Sequence, residues 1–242
     1  MANTVTDALT RKLTATTRLD ADDIAAVEAL PINVKSMAAH QAIVRDGECP
    51  QECCLTVEGF SFRSKMTSAG KRQILSVHVP GDIPDLQSLY LEKMDHDFST
   101  LTRATVGFIS HTALRNLIRE RIRVAEALWR ETLIDAAIFR EWIVNVGQRP
   151  GVARLAHLLL ELKARLALVG RVQGNAFELP MNQQELADCL GITAVHVSRV
   201  MKELRERGLV DFQRHLVVVR DERRLGELGD FDQLYLHENR GP

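Results

Sequence analysis

The sequence has 242 residues, 45% of them apolar, and a formal net charge of −1. This is chain enough for one large or two modest domains at roughly 150 residues each, and the near-neutral balance excludes bulk positive charge as the source of any nucleic-acid affinity. No apolar run approaches the ~18–20 residues that span a bilayer, and the opening MANTVTDALTRKLT lacks a leader's apolar core, so the expectation is a cytoplasmic protein with no membrane partner.

LDADDIAAVEAL predicts a helix. Asp20 caps it, Asp22 and Asp23 sit in the first turn, where the dipole favours anions, and Leu30 precedes Pro31. From Ile32 to about Ile109 the texture changes to short β-leaning runs: QAIVR, ECCLTVEGFSFRSKM, KRQILSVHVP and RATVGFIS. Turn signals at Asp46-Gly47, Ala69-Gly70, Pro80-Gly81-Asp82 and Pro84 separate them. Short strands at this spacing predict an antiparallel roll, barrel or sandwich, and a first domain over residues 1–111.

Residues 112–147 read as a long helix, free of Pro and Gly until its end. Ile118, Ile122, Ala125, Trp129, Thr132, Ala136, Phe139, Ile143 and Val146 alternate spacings of four and three, an a/d heptad seam. Leu117, Val124, Leu128, Ile138 and Trp142 widen its apolar face. A seam needs a partner. The pattern alone fits either a core helix packed on its own β-domain or self-pairing in a parallel dimer. Gly147-Gln148-Arg149-Pro150-Gly151 then reads as a hinge.

The remainder, residues 148–242, begins with an amphipathic helix carrying Val152, Leu155, Leu158, Leu159, Leu162 and Leu166. VGRVQGNAFELP is a loop or short hairpin. A helix, a break and a second helix follow between Met181 and Arg207. Asn182 caps the first helix, with Glu185 at capping-box spacing, and Gly191 supplies a left-handed end. Thr193 caps the second, and Val197, Val200 and Leu204 form its buried stripe. Its other face carries Ala194, Val195, His196, Ser198, Arg199 and Lys202: small, polar and basic groups suited to a major groove. GLVDFQRHLVVVRD reads as two strands around Gln213-Arg214-His215, a wing behind a recognition helix. From Pro180 to Arg224 there are eight Lys/Arg against seven Asp/Glu, so arrangement and not charge total carries this reading.

LPMNQQELADCLGITAVHVSRVMKELRERGLV resembles the winged helix-turn-helix of the Crp/Fnr superfamily of bacterial transcription regulators, and VPGD at Val79–Asp82 resembles that family's turn within its β-roll. The order of elements is similar along nearly the whole chain. The resemblance implies an α+β protein: an N-terminal antiparallel β-roll of the cyclic-nucleotide-binding kind, a long dimerisation helix and a C-terminal winged helix-turn-helix. It implies a homodimer paired through the seam, acting on a two-fold-symmetric site in double-stranded DNA. It also implies contact with RNA polymerase and control of activation or repression by a signal at the roll. By position, Arg199 matches the family's guanine-reading arginine, and Ser198 a residue that helps read the adjacent base. Where the family often has Glu, this chain has Val195, which cannot accept from cytosine but can touch a thymine methyl. His196 is expected at a base or phosphate, and Thr193, Lys202 and Arg205 at the DNA backbone. The competing reading is a β-roll ligand-binding or protein-interaction module whose helix-turn-helix contacts protein. No constellation supports an enzyme.

The family's cyclic-nucleotide binders use a Gly-Glu and an Arg-Ser/Thr pair. Here Pro84-Asp85 follows the turn, and Met94-Asp95 stands at the phosphate-binding position, where an aspartate would repel the ligand. Cyclic AMP is therefore not the expected effector, and the cofactor is unknown. CPQECC lacks C-x-x-C spacing, and adjacent cysteines in a strand face opposite ways, so Cys53 and Cys54 are expected as small core residues. Cys189 is expected to pack, leaving Cys49 as the redox candidate. The eight histidines form no HxH or HExxH pair, so no metal ligands are assigned. Asp95, His96 and Asp97 are expected to fan apart.

Overall fold

The computed structural model describes residues 5–237. These fall into two compact units, residues 5–65 with 76–136 and 237, and residues 66–75 with 137–236.

The first unit opens with α1 (Asp7–Thr16) and α2 (Ala21–Glu28). The Asp20 carboxylate accepts from the Asp23 amide, the cap its sequence predicts, and the Asp23 carboxylate accepts in turn from the Asp20 amide. Seven strands follow: β1 (Ile32–Met37), β2 (Ala42–Val44), β3 (Glu52–Glu58), β4 (Ser61–Met66), β5 (Arg72–His78), β6 (Asp97–Thr100) and β7 (Ala104–Ser110). They form an antiparallel β-roll of two sheets, ordered β1-β7-β3 and β2-β6-β4-β5. Cys53 and Cys54 face opposite ways on β3. Cys53 joins a core with Leu13, Leu55, Leu114 and Val124, and Cys54 joins a second core with Met94, Phe98 and Val106. β1 and β6 were not among the expected strands. INVKSM and DFST carry little apolar alternation, and pairing with distant β7, β2 and β4 decides their state.

The predicted long helix is two. α3 (His111–Glu120), capped by Ser110, ends at Arg121, whose backbone leaves the helical region at φ −129°, ψ 88°. α4 (Ile122–Gly147) follows, so Ile118 lies on α3, half-buried against the first core. The rest of the seam occupies one face of α4. Ile122, Trp129 and Ile143 are 69%, 66% and 68% exposed. Ala125, Thr132, Ala136, Phe139 and Val146 are half-buried, whereas Val124, Leu128, Ile138 and Trp142 are buried. The residues that widen the apolar face pack inward, and the a/d seam is only partly covered, with Ile122, Trp129 and Ile143 left to solvent.

The second unit contains α5 (Gly151–Leu168), β8 (Val172–Gln173), β9 (Ala176–Glu178), α6 (Gln183–Leu190), α7 (Ala194–Glu206), β10 (Val210–Gln213), β11 (Leu216–Val219) and α8 (Glu222–Gly229). Its sheet runs β10-β11-β9-β8, so the wing is joined by a second hairpin from the VGRVQGNAFELP segment. α5 is the centre of the core. Its fully buried Glu161 accepts from Trp142 Nε1 at 3.1 Å and from the Tyr235 hydroxyl at 2.9 Å, and lies 3.4 Å from Arg165. Those partners make its burial tolerable. Residues 66–75, which include the first half of β5, also belong to this unit, where Arg72 Nε meets Asp188 Oδ2 at 2.8 Å and Gln73 Nε2 donates to the Asp188 carbonyl at 2.6 Å. Both contacts steady the end of α6.

Candidate nucleic-acid interface

α6 begins with a closed capping box. The Asn182 side chain accepts from the Glu185 amide at 2.9 Å, and Glu185 accepts from the Asn182 amide at 2.7 Å. Gly191 ends it at φ 63°, ψ 34°, a left-handed conformation that a Cβ resists. The Leu190 carbonyl, orphaned at this end, accepts from Arg154 Nη1 of α5 at 2.7 Å. Arg154 is a positioning residue that the sequence did not reveal, because its partner lies 36 residues away. Thr193 then caps α7, accepting from the His196 amide at 3.2 Å. Val197, Val200 and Leu204 turn inward, as their spacing predicts.

At about 100° per residue, Val195, Arg199 and Lys202 align on the outward face of α7, with Ser198 and Arg205 beside them. Val195 is 63% exposed at the head of the helix. Arg199 has no hydrogen-bond or ion-pair partner among the described residues. The nearby Glu203 that could have engaged it is bonded to Arg207. Lys202 lies 3.5 Å from Glu206, one turn on. Arg205 Nε reaches the Met201 carbonyl only at 3.4 Å. Ser198 donates to Gln183 Oε1, the first residue of α6, at 2.8 Å. His196 departs from the expected set. It falls on the flank of α7, and its ring stands against the hinge, where a Cβ on Gly151 would lie 2.8 Å from its Nε2. Glycine at 151 permits that approach. The wing follows, with Arg214 at φ 53° forming the tight turn between β10 and β11.

Along the chain, a seven-stranded roll and a long α4 helix are followed by a helix-turn-helix with both caps in place and a β-hairpin wing. A family model described as a Crp-like helix-turn-helix domain matches residues 153–228, and one described as a cyclic nucleotide-binding domain matches residues 34–121. The chain belongs to the Crp/Fnr superfamily. It is 25% identical over 221 residues to the transcriptional activator protein FnrL of Cereibacter sphaeroides, covering 88% of this chain and 87% of that protein. It is 27% identical over 170 residues to the nitrogen fixation regulation protein FixK of Rhizobium meliloti, covering 69% and 73%. The solved structure of FixK2 from Bradyrhizobium japonicum superposes with a TM-score of 0.75 at 25% identity, covering 82% of this chain and 98% of that one. This Crp/Fnr member is a DNA-binding transcription regulator, in accord with relatives named as activator and regulation proteins. Among the described residues no helix is long and apolar enough to cross a membrane.

Met94 is buried in the second core, and the buried guanidinium of Arg63 is held by Asp135 at 2.6 Å. The Asp95 side chain is 83% exposed and bonded to His96 Nδ1 at 2.6 Å, a contact that holds its carboxyl below the usual range. Asp95 and His96 therefore meet instead of fanning apart. His78 is buried between Ser76 and Asp82, and that burial lowers its pKa to about 4. Asp85, also buried, accepts from the Cys54 amide at 2.7 Å, and loss of water raises its pKa to about 6. Cys49 is exposed, whereas Cys53, Cys54 and Cys189 are buried with thiols pushed upward by desolvation. No group of three or more His, Cys, Asp or Glu among the described residues is arranged to hold a metal ion.

Proposed function

We propose that the protein acts as a homodimer that binds a two-fold-symmetric DNA site and responds to a signal at the roll other than cyclic AMP. The partly uncovered a/d seam of α4 supports pairing, since an apolar stripe of this length is normally buried. The reading of α7 as the recognition helix rests chiefly on one observation: Arg199 stands exposed and unpaired among the described residues, one turn beyond exposed Val195. A guanidinium so placed donates two parallel hydrogen bonds to O6 and N7 of guanine, and Val195 meets a thymine methyl. Ser198 reads the neighbouring base. Thr193, Lys202 and Arg205 meet phosphates, and His196, on the flank, is left outside the base-reading set. In a dimer the two recognition helices enter successive major grooves, about 34 Å apart. RNA polymerase is a further partner, in keeping with relatives that are named transcriptional activators.

Selection from random duplexes tests this reading. The expected outcome is an inverted repeat with a guanine in each half-site, bound less tightly as salt rises. Recovery of no preferred sequence, or of a single asymmetric element, would overturn it.

A further inference from the structure

The contact between Ser198 and Gln183 fixes more than a side-chain position. A serine hydroxyl has one proton and two lone pairs. In this protein the proton is committed: Ser198 Oγ donates to Gln183 Oε1 across the turn at 2.8 Å, between the first residue of α6 and the second turn of α7. Ser198 is half-buried and Gln183 exposed, so the pair lies at the rim of the helix-turn-helix and not in its core.

We propose that Gln183 is a specificity-determining residue that acts through Ser198. With its proton held by Gln183, Ser198 presents only lone pairs to a groove. It then accepts from an amino group, N6 of adenine or N4 of cytosine, and has nothing to donate to O4 of thymine or O6 of guanine. A free serine would have no such bias, because its hydroxyl rotates to suit either kind of base. The Gln183 amide nitrogen keeps both of its hydrogens and is placed to meet the phosphate beside the contacted base. The consequence is a half-site in which the guanine read by Arg199 is flanked by an amino base on the strand that Ser198 meets. This inference rests on α7 being the recognition helix, and its test separates the two.

The test uses the full-length protein and its selected site, with all four bases substituted in turn at each half-site position. Ser198→Ala first identifies the position that Ser198 reads. The wild type is expected to favour adenine or cytosine there by about tenfold, the scale of one hydrogen bond gained or left unmade. Gln183→Ala frees the hydroxyl, and the preference at that position should shrink to less than about threefold while the guanine preference set by Arg199 persists. Gln183→Glu retains an acceptor for the Ser198 proton. It should keep the amino-base preference while weakening all sequences through repulsion from phosphate. Three outcomes overturn the proposal: a wild-type preference for thymine or guanine at the Ser198 position, an unchanged preference in Gln183→Ala, or a uniform loss of affinity in Gln183→Ala with every preference intact. Failure of the wild type to select any sequence would instead sink the assignment of α7.

Discussion

Arg199 and Lys202 lie three residues apart on one face of α7 but in different electrostatic settings. Lys202 faces Glu206 in an exposed pair that contributes little to stability, whereas Arg199 is unpaired among the described residues. Arg199→Ala should therefore cost about 1–3 kcal/mol per half-site and relax the preference at one base pair. Lys202→Ala should weaken all sequences alike and lower the salt dependence by about one phosphate contact. Titrations of both variants on the selected site and its single-base changes decide, and equal weakening of every sequence by Arg199→Ala would remove it as the reader. A second residue-scale prediction concerns Asp85. Its pKa is raised to about 6 by burial, from an ordinary 3.8. Between those values the folded state holds a proton that the unfolded state has lost, so this carboxyl makes stability fall as pH rises through the window. Asp85→Asn keeps an acceptor for the Cys54 amide and removes the titration. Its stability relative to wild type should climb by about 2 kcal/mol between pH 4 and pH 7. Urea melts at those pH values check this, and an offset that does not change with pH would contradict it. Neither Asp85's bond to the Cys54 amide nor Gln183's bond to Ser198 was legible in the sequence, since each depends on a partner on another element.

The elements were more legible where local chemistry governs them. Asn182 with Glu185 at the start of α6, Gly191 at its end and Thr193 at the start of α7 each act within a turn of the chain, so the limits of both helices could be read directly. The wing was legible for the same reason. β1 and β6 were not, because polar strands of four to six residues are chosen by their distant partners. The heptad spacing on α4 was legible, but the break at Arg121 that moves Ile118 to another helix carries no Pro or Gly signal. The spacing also could not say whether the seam would be covered within the chain, and in the folded chain it is covered only in part. Ile143→Asp should accordingly leave the protomer folded, because Ile143 is exposed, yet place unpaired charge in a paired seam at a cost of several kcal/mol. Sedimentation should show a monomer with unchanged circular dichroism. A dimer that survives this substitution would exclude α4 as the pairing element.

At the scale of the whole molecule, the fold could be anticipated from sequence more fully than the signal. The roll is of a cyclic-nucleotide-binding family, but Arg63 is committed to Asp135 and Met94 to the core. Calorimetry with cyclic AMP should give no binding heat at millimolar nucleotide, and a micromolar dissociation constant would refute this. The exposed stripe on α4 has a consequence for how much active regulator a cell holds. If the protomers pair as proposed through the face that leaves Ile122, Trp129 and Ile143 to water, pairing and folding stability are linked by mass action, and each tenfold dilution removes about 1.4 kcal/mol of the dimer's stability. Below the dissociation constant, the paired form grows as the square of the chain concentration. Doubling synthesis then quadruples the DNA-competent species, and promoter occupancy becomes a steep readout of the protein's own abundance before any effector binds.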